Sequence, residues 1–169
     1  EIGGTAHHIR FVECEFQHGG GQAGEHMGIL LNGISGGANN CELIRCLSHD
    51  NGGSTEQSHG YYIASNNNLI EDCEGYDNPN HGLQVFLAGG NPTGNTVKGG
   101  KYYRNGLTRA SGGGVILTGT GTNHAFNNIC YDNKTWGVYA EGNNQKIDHN
   151  SMYSNDGPAC EVGSGTPLV

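Results

Sequence analysis

The chain has 169 residues, 31 of them Gly, with only 34% apolar side chains and a formal net charge of −8. That length fits one domain, and a high Gly content without a Gly-X-Y period excludes collagen. No basic stripe is available for the phosphates of duplex nucleic acid. No apolar run approaches the roughly 18 residues of a membrane-spanning helix, so neither nucleic acid nor membrane is expected as a partner.

Short runs of alternating apolar residues recur at a nearly fixed spacing, the mark of strands in a repeat. A weak first copy holds Phe11, Gln17 and Gly19, followed by Gly28-Ile29-x-Leu31. The second carries Leu43, His49 and Asn51, then Gly60-Tyr61-x-Ile63. Ile70, Tyr76 and Asn78 form the third, before Gly82-Leu83-x-Val85. The fourth has Val97, Tyr103 and Asn105 before Gly114-Val115-x-Leu117, and the fifth Ala125, Tyr131 and Asn133 before Gly137-Val138-x-Ala140. Ile147, Tyr153 and Asn155 close the series, with a degraded run at residues 159–162. The closing residues Asn51, Asn78, Asn105, Asn133 and Asn155 lie 27, 27, 28 and 22 positions apart. A second polar column reads Asn68, Asn95, Asn123 and Gln145. No segment has helical periodicity, so little or no helix is expected.

A unit of this length cannot hide its own apolar side chains, but stacking successive units can, with like residues about 4.8 Å apart. Gly and Asn are expected to supply the left-handed conformations of the corners. Stacked asparagines would satisfy one another's buried amides. The six cysteines include no Cys-x-x-Cys pair, so a zinc site is not expected. Cys14, Cys46 and Cys73 share one repeat position, whereas Cys41, Cys130 and Cys160 share none. Stacked cysteines lie within reach of a disulfide, and a column of free buried thiols is the simpler reading.

The pattern apolar-x-x-Asn-x-apolar-x-x-Asn followed by Gly-apolar-x-apolar resembles the right-handed parallel β-helix superfamily of pectate-lyase-like repeat proteins. The resemblance implies an all-β solenoid of about six coils with three short parallel sheets. Residues 1–169 then form a single domain. With no initiator Met and no capping helix, that domain is expected to be a portion of a larger chain. Cys14, Cys46, Cys73 and Gly100 depart from the family's inner asparagine, which Asn128 and Asn150 keep.

The same resemblance places a ligand groove across one sheet exterior, beside the longest loops. Here these precede the Gly-apolar strand, at residues 19–27, 52–58, 79–80 and 106–113. The outward row of that strand is Leu30, Tyr62, Gln84, Ile116 and Tyr139, with Phe86 and Glu141 two positions on. Tyr62, Gln84, Phe86 and Tyr139, with Arg109 in the adjoining loop, are the candidate substrate-binding residues, since sugar rings stack on exposed aromatics. His59 and His81 lie at the mouth of this strand, with His26 one residue off the equivalent place and Glu25 and Glu56 in the loops. His59, His81, His26 and Glu56 are the candidate acid–base residues, because histidine titrates near neutrality. Ser58-His59-Gly60 is similar to the Gly-His-Gly of polygalacturonases, without their paired aspartates. The plainer reading is a corner preference for histidine.

A second exterior cluster holds Glu13, Glu15, Arg45, Asp72, Glu74 and Lys101. Lyases of the superfamily use Lys or Arg as base and carboxylates that can bind Ca2+, for which Asp72 and Glu74 could serve. A surface salt-bridge ladder explains the alternating signs more simply. Asn133-Lys134-Thr135 fits a glycosylation sequon. These features lead to the expectation of an extracellular protein acting on or binding a polysaccharide, by lyase, epimerase or hydrolase chemistry. The alternative is a non-catalytic carbohydrate-binding or adhesive module that self-associates end to end or side by side.

Overall fold

The computed structural model describes residues 1–19, 26–33, 37–53, 58–86, 90–107 and 112–164. The chain winds through six coils of three strands each. The first coil holds β1 (Arg10–Val12), β2 (Glu15–Gln17) and β3 (Ile29–Asn32). Next come β4 (Glu42–Ile44), β5 (Leu47–His49) and β6 (Tyr61–Ala64), then β7 (Leu69–Glu71), β8 (Glu74–Tyr76) and β9 (Leu83–Val85). The fourth coil has β10 (Thr96–Lys98), β11 (Lys101–Tyr103) and β12 (Val115–Leu117), the fifth β13 (His124–Phe126), β14 (Ile129–Tyr131) and β15 (Val138–Ala140). β16 (Lys146–Asp148), β17 (Ser151–Tyr153) and β18 (Cys160–Val162) complete the stack. Every third strand pairs in parallel, giving three six-stranded sheets that begin at β1, β2 and β3. The described residues contain no helix.

The register is the one the repeat predicts: Phe11 pairs with Leu43, Leu43 with Ile70, Ile70 with Val97, and Val97 with Ala125. Polar residues hold each corner. Between the second and third sheets, Asn51, Asn78, Asn105 and Asn133 each donate Nδ2–H to the Oδ1 of the next coil's asparagine, at 2.9–3.1 Å. The column Asn68, Asn95, Asn123 and Gln145 does the same between the third and first sheets, at 2.9–3.1 Å. Cys41, read from the sequence as outside the repeat, belongs to this column, since its N–H donates to Asn68 Oδ1 at 2.8 Å. In the remaining corner a thiol takes the asparagine's place, with Cys46 N–H donating to Cys73 Sγ at 3.4 Å. All six cysteines are free thiols, and Cys41, Cys46, Cys73 and Cys130 are buried.

The corners differ from expectation in their left-handed residues. These are not mainly Gly and Asn: Glu13, Arg45 and Asp72 turn the first corner at φ 50–55°, and Asp50, Asp77, Arg104 and Asp132 the second at φ 51–54°. A left-handed L-residue costs roughly 1–2 kcal/mol, and the ladder residue that follows each one offsets this with its hydrogen bonds.

Inside, the column Phe16, Ser48, Gly75, Tyr102, Cys130 and Met152 mixes large and small side chains. Tyr61 fills the space over Ser48 and Gly75, and its hydroxyl donates to the carbonyl of Cys46 at 2.8 Å or Glu74 at 3.0 Å. Tyr102 is fully buried, and its hydroxyl has no hydrogen-bond partner.

Candidate functional site

Period-two alternation on the third sheet turns Tyr61, Leu83, Val115 and Val138 inward, so their successors face outward. Leu30, Tyr62, Gln84, Ile116, Tyr139 and Glu161 are successive register partners and form one column across six coils. Tyr62, Gln84 and Tyr139 are half-buried, whereas Ile116, though outward in register, is only 4% exposed. Two aromatic pairs stand on this face. The Tyr62 and Phe86 rings lie 6.5 Å apart, and Phe86 is 36% exposed. Two coils beyond Phe86, Trp136 lies 4.8 Å from Tyr139 at 37°. Tilted and offset rings leave their faces partly open, so this surface can stack against an apolar ligand face.

Carboxylates adjoin the second pair. Trp136 Nε1–H donates to Glu161 Oε2 at 2.6 Å, Tyr139 Oη–H to Glu141 Oε2 at 3.3 Å, and Ser164 Oγ–H to Glu141 Oε1 at 2.9 Å. Burial, then the charge and hydrogen bond of Glu141 and the charge of Glu161, push the Tyr139 phenol above its ordinary value. Tyr139 therefore stays a hydrogen-bonding phenol at neutral pH.

The structure brings His59 and His81 together, with ring centroids 5.0 Å apart and planes within 5°. Both rings serve the corner. His81 N–H donates to His59 Nδ1 at 3.4 Å, and Gly113 N–H donates to His81 Nδ1 at 3.0 Å. They repeat with imidazole nitrogens what the asparagines do with amide oxygens. Burial pushes His59 down to about 3. His81 falls well below its ordinary value through burial and the neighbouring charge of His59. With 2% and 7% of their surfaces exposed, the neutral rings meet little solvent. The His59 ring lies 5.4 Å from that of Tyr62 and so backs the aromatic face. His26, 7% exposed, stands one residue before Met27, which holds the equivalent place because Gly28 N–H bonds the carbonyl of His59 as Gly60 N–H bonds that of His81. Glu25, Glu56 and Arg109 lie outside the described residues.

The second exterior cluster forms ion pairs between coils. Arg45 Nη2 meets Glu13 at 2.9 Å, Lys101 meets Glu74 at 3.0 Å, and His49 Nε2 meets Glu15 at 2.8 Å. Glu74 also accepts from Tyr103 Oη at 3.3 Å, so of the two carboxylates read as Ca2+ ligands one is already engaged. Among the described residues no group of three or more His, Cys, Asp or Glu side chains is arranged to hold a metal.

One feature of this sheet was visible as a repeat position but had no assigned role. His49, Tyr76, Tyr103, Tyr131 and Tyr153 stack at centroid distances of 4.6, 5.0, 4.8 and 5.2 Å, all within 8° of parallel. The Arg104 guanidinium lies 4.9 Å from the Tyr103 centroid and is held by Asp77 at 2.8 and 2.6 Å. These rings cover one another's faces and present mainly edges outward, which distinguishes them from the tilted rings of the third sheet. Four tyrosines at one repeat position were the signal.

Comparison with known proteins agrees with this geometry. No curated protein matches the sequence. The solved structure of pectate lyase Pel9A superposes with a TM-score of 0.64 at 14% identity, covering 96% of this chain and 48% of that one. The chain thus spans about half the length of that lyase, a likeness of fold. The sequence model described as right handed beta helix region matches residues 28–169, and the chain belongs to the right-handed β-helix family.

Proposed function

We propose that the protein binds an extracellular polysaccharide along the exterior of its third sheet. The observation that carries this reading is the pair of aromatic clusters, Tyr62 with Phe86 and Trp136 with Tyr139, on one face. Tyr62, Gln84, Ile116 and Tyr139 are consecutive register partners, so the two clusters stand about 14 Å apart along the stack. That span suits several pyranose rings of an extended chain. Gln84 between the clusters offers an amide to sugar hydroxyls, and the fold shared with a pectate lyase supports a polysaccharide as ligand class.

Binding fits the face better than turnover, because His59 and His81 are buried neutral rings whose Nδ1 atoms accept backbone hydrogen bonds. Affinity electrophoresis against a panel of neutral, acidic and amino polysaccharides tests the reading. Retention is expected from at least one polymer, with Tyr62→Ala and Tyr139→Ala each weakening it about tenfold, or 1.4 kcal/mol. Mobility unchanged in every gel, or retention indifferent to both substitutions, would remove it. Growth of ultraviolet absorbance from unsaturated products, or of reducing ends, would restore the enzymatic alternative.

A further inference from the structure

The charges of this molecule are segregated by face. Arg10, Arg45, Lys98, Lys101, Arg104 and Lys134 are each ion-paired with a carboxylate on the first two sheets or their corners. Lys146 belongs to the first sheet as well. Among the described residues no Lys or Arg stands on the third sheet, where Glu141 and Glu161 flank Tyr139. The donors that hold these two carboxylates are an indole N–H and two hydroxyls. Such donors fix the position of a carboxylate and leave its charge uncompensated. The aromatic face is therefore also the face whose described charge is negative.

Resting on the polysaccharide reading of this same face, we infer that its ligand is a polymer of amino sugars with free, protonated amines. Such a ring brings an apolar face for Trp136 and Tyr139. Its ammonium supplies the charge that Glu141 and Glu161 lack, and a cation beside the Tyr139 or Trp136 ring gains further from the π-system. A polyuronate would meet like charge on this face. An N-acetylated sugar would stack equally well and leave both carboxylates unpaired.

Isothermal titration at slightly acidic pH with glucosamine oligomers, N-acetylglucosamine oligomers of equal length and oligogalacturonate separates these ligands. The free-amine oligomer is expected to bind about tenfold or more tighter than the acetylated one, and to weaken as salt is raised. The double variant Glu141→Gln/Glu161→Gln should abolish that preference while keeping binding of the acetylated oligomer. Glu13→Gln/Glu15→Gln, which removes equal charge from another face, should leave it intact. Equal or tighter binding of the acetylated or uronate oligomer would overturn the inference and leave the polysaccharide reading standing. An equal loss in both double variants would show attraction to net charge alone and would also overturn it. Failure of every saccharide to bind would end both readings.

Discussion

Asn105 shows what a single ladder residue does. Its Nδ2 donates to the Gly75 carbonyl at 2.9 Å and to Asn133 Oδ1 at 3.0 Å, while its Oδ1 accepts from Asn78 Nδ2 at 3.0 Å. At 1% exposure these groups have no water to fall back on. Asn105→Ala should cost on the order of 3 kcal/mol or more, since each orphaned buried group costs about 1–3 kcal/mol; denaturant titration measures it. His59 and His81 make the same kind of contact with a titratable ring. Their folded values lie below the ordinary histidine value, so protons bind the unfolded chain more readily and stability falls as pH drops below about 6.5. The loss continues toward the folded value of about 3 for His59. Each such ring contributes a slope of roughly 1.4 kcal/mol per pH unit within that window. His81→Asn keeps an acceptor for Gly113 N–H without the titration, so its melting temperature should fall less than wild type on acidification. His49 has the opposite sign. Burial works against its charge, yet hydrogen bonds to Asp50 and Glu15 raise it overall, so its contribution is present at low pH and fades as pH rises through its folded value.

Among the elements, the strand that opens each third-sheet rung begins with a glycine for steric reasons. A Cβ on Gly82 would sit 2.7 Å from Asn105 Nδ2 and 2.9 Å from the Gly114 carbonyl, because this column packs directly against the asparagine ladder. Gly82→Ala should lower stability by about 2 kcal/mol, the usual scale of overpacking, visible as a shifted melting transition. The second sheet carries its own device in the stacked rings. Tyr103 touches Tyr76 on one side and Tyr131 on the other at 5.0 and 4.8 Å. Tyr103→Phe should be almost neutral, whereas Tyr103→Ala should cost about 2 kcal/mol from two lost ring pairs. If both behave alike in thermal melts, the stack contributes nothing beyond area. The corners were harder to foresee. Glycine and asparagine are the usual left-handed residues, but Asp, Arg, Glu and His take those places here because a hydrogen-bonded neighbour pins the turn.

At the level of the whole molecule each coil contacts only the coils beside it, so stability is distributed along the stack rather than gathered in one centre. Buried side chains concentrate in the middle coils. Strand β1 has exposed residues flanking a half-buried Phe11, while its counterpart β7 has Ile70 fully buried. Hydrogen exchange should therefore be fastest at β1, β2 and β17 and slowest at β7 to β12; uniform protection would contradict that picture. The sequence by itself determined the period, the register and the ladders, because a repeat that buries like upon like writes each contact into its own spacing. Even Cys41, missed as a repeat residue, stands 27 positions before Asn68 and could have been read there. What only the tertiary structure decided was access and orientation: that His59 and His81 are sealed neutral, that the tyrosines of the second sheet hide one another's faces, and that basic groups are paired away from the third sheet. Spacing specifies which residues are neighbours, whereas burial, tilt and charge balance depend on everything packed around them.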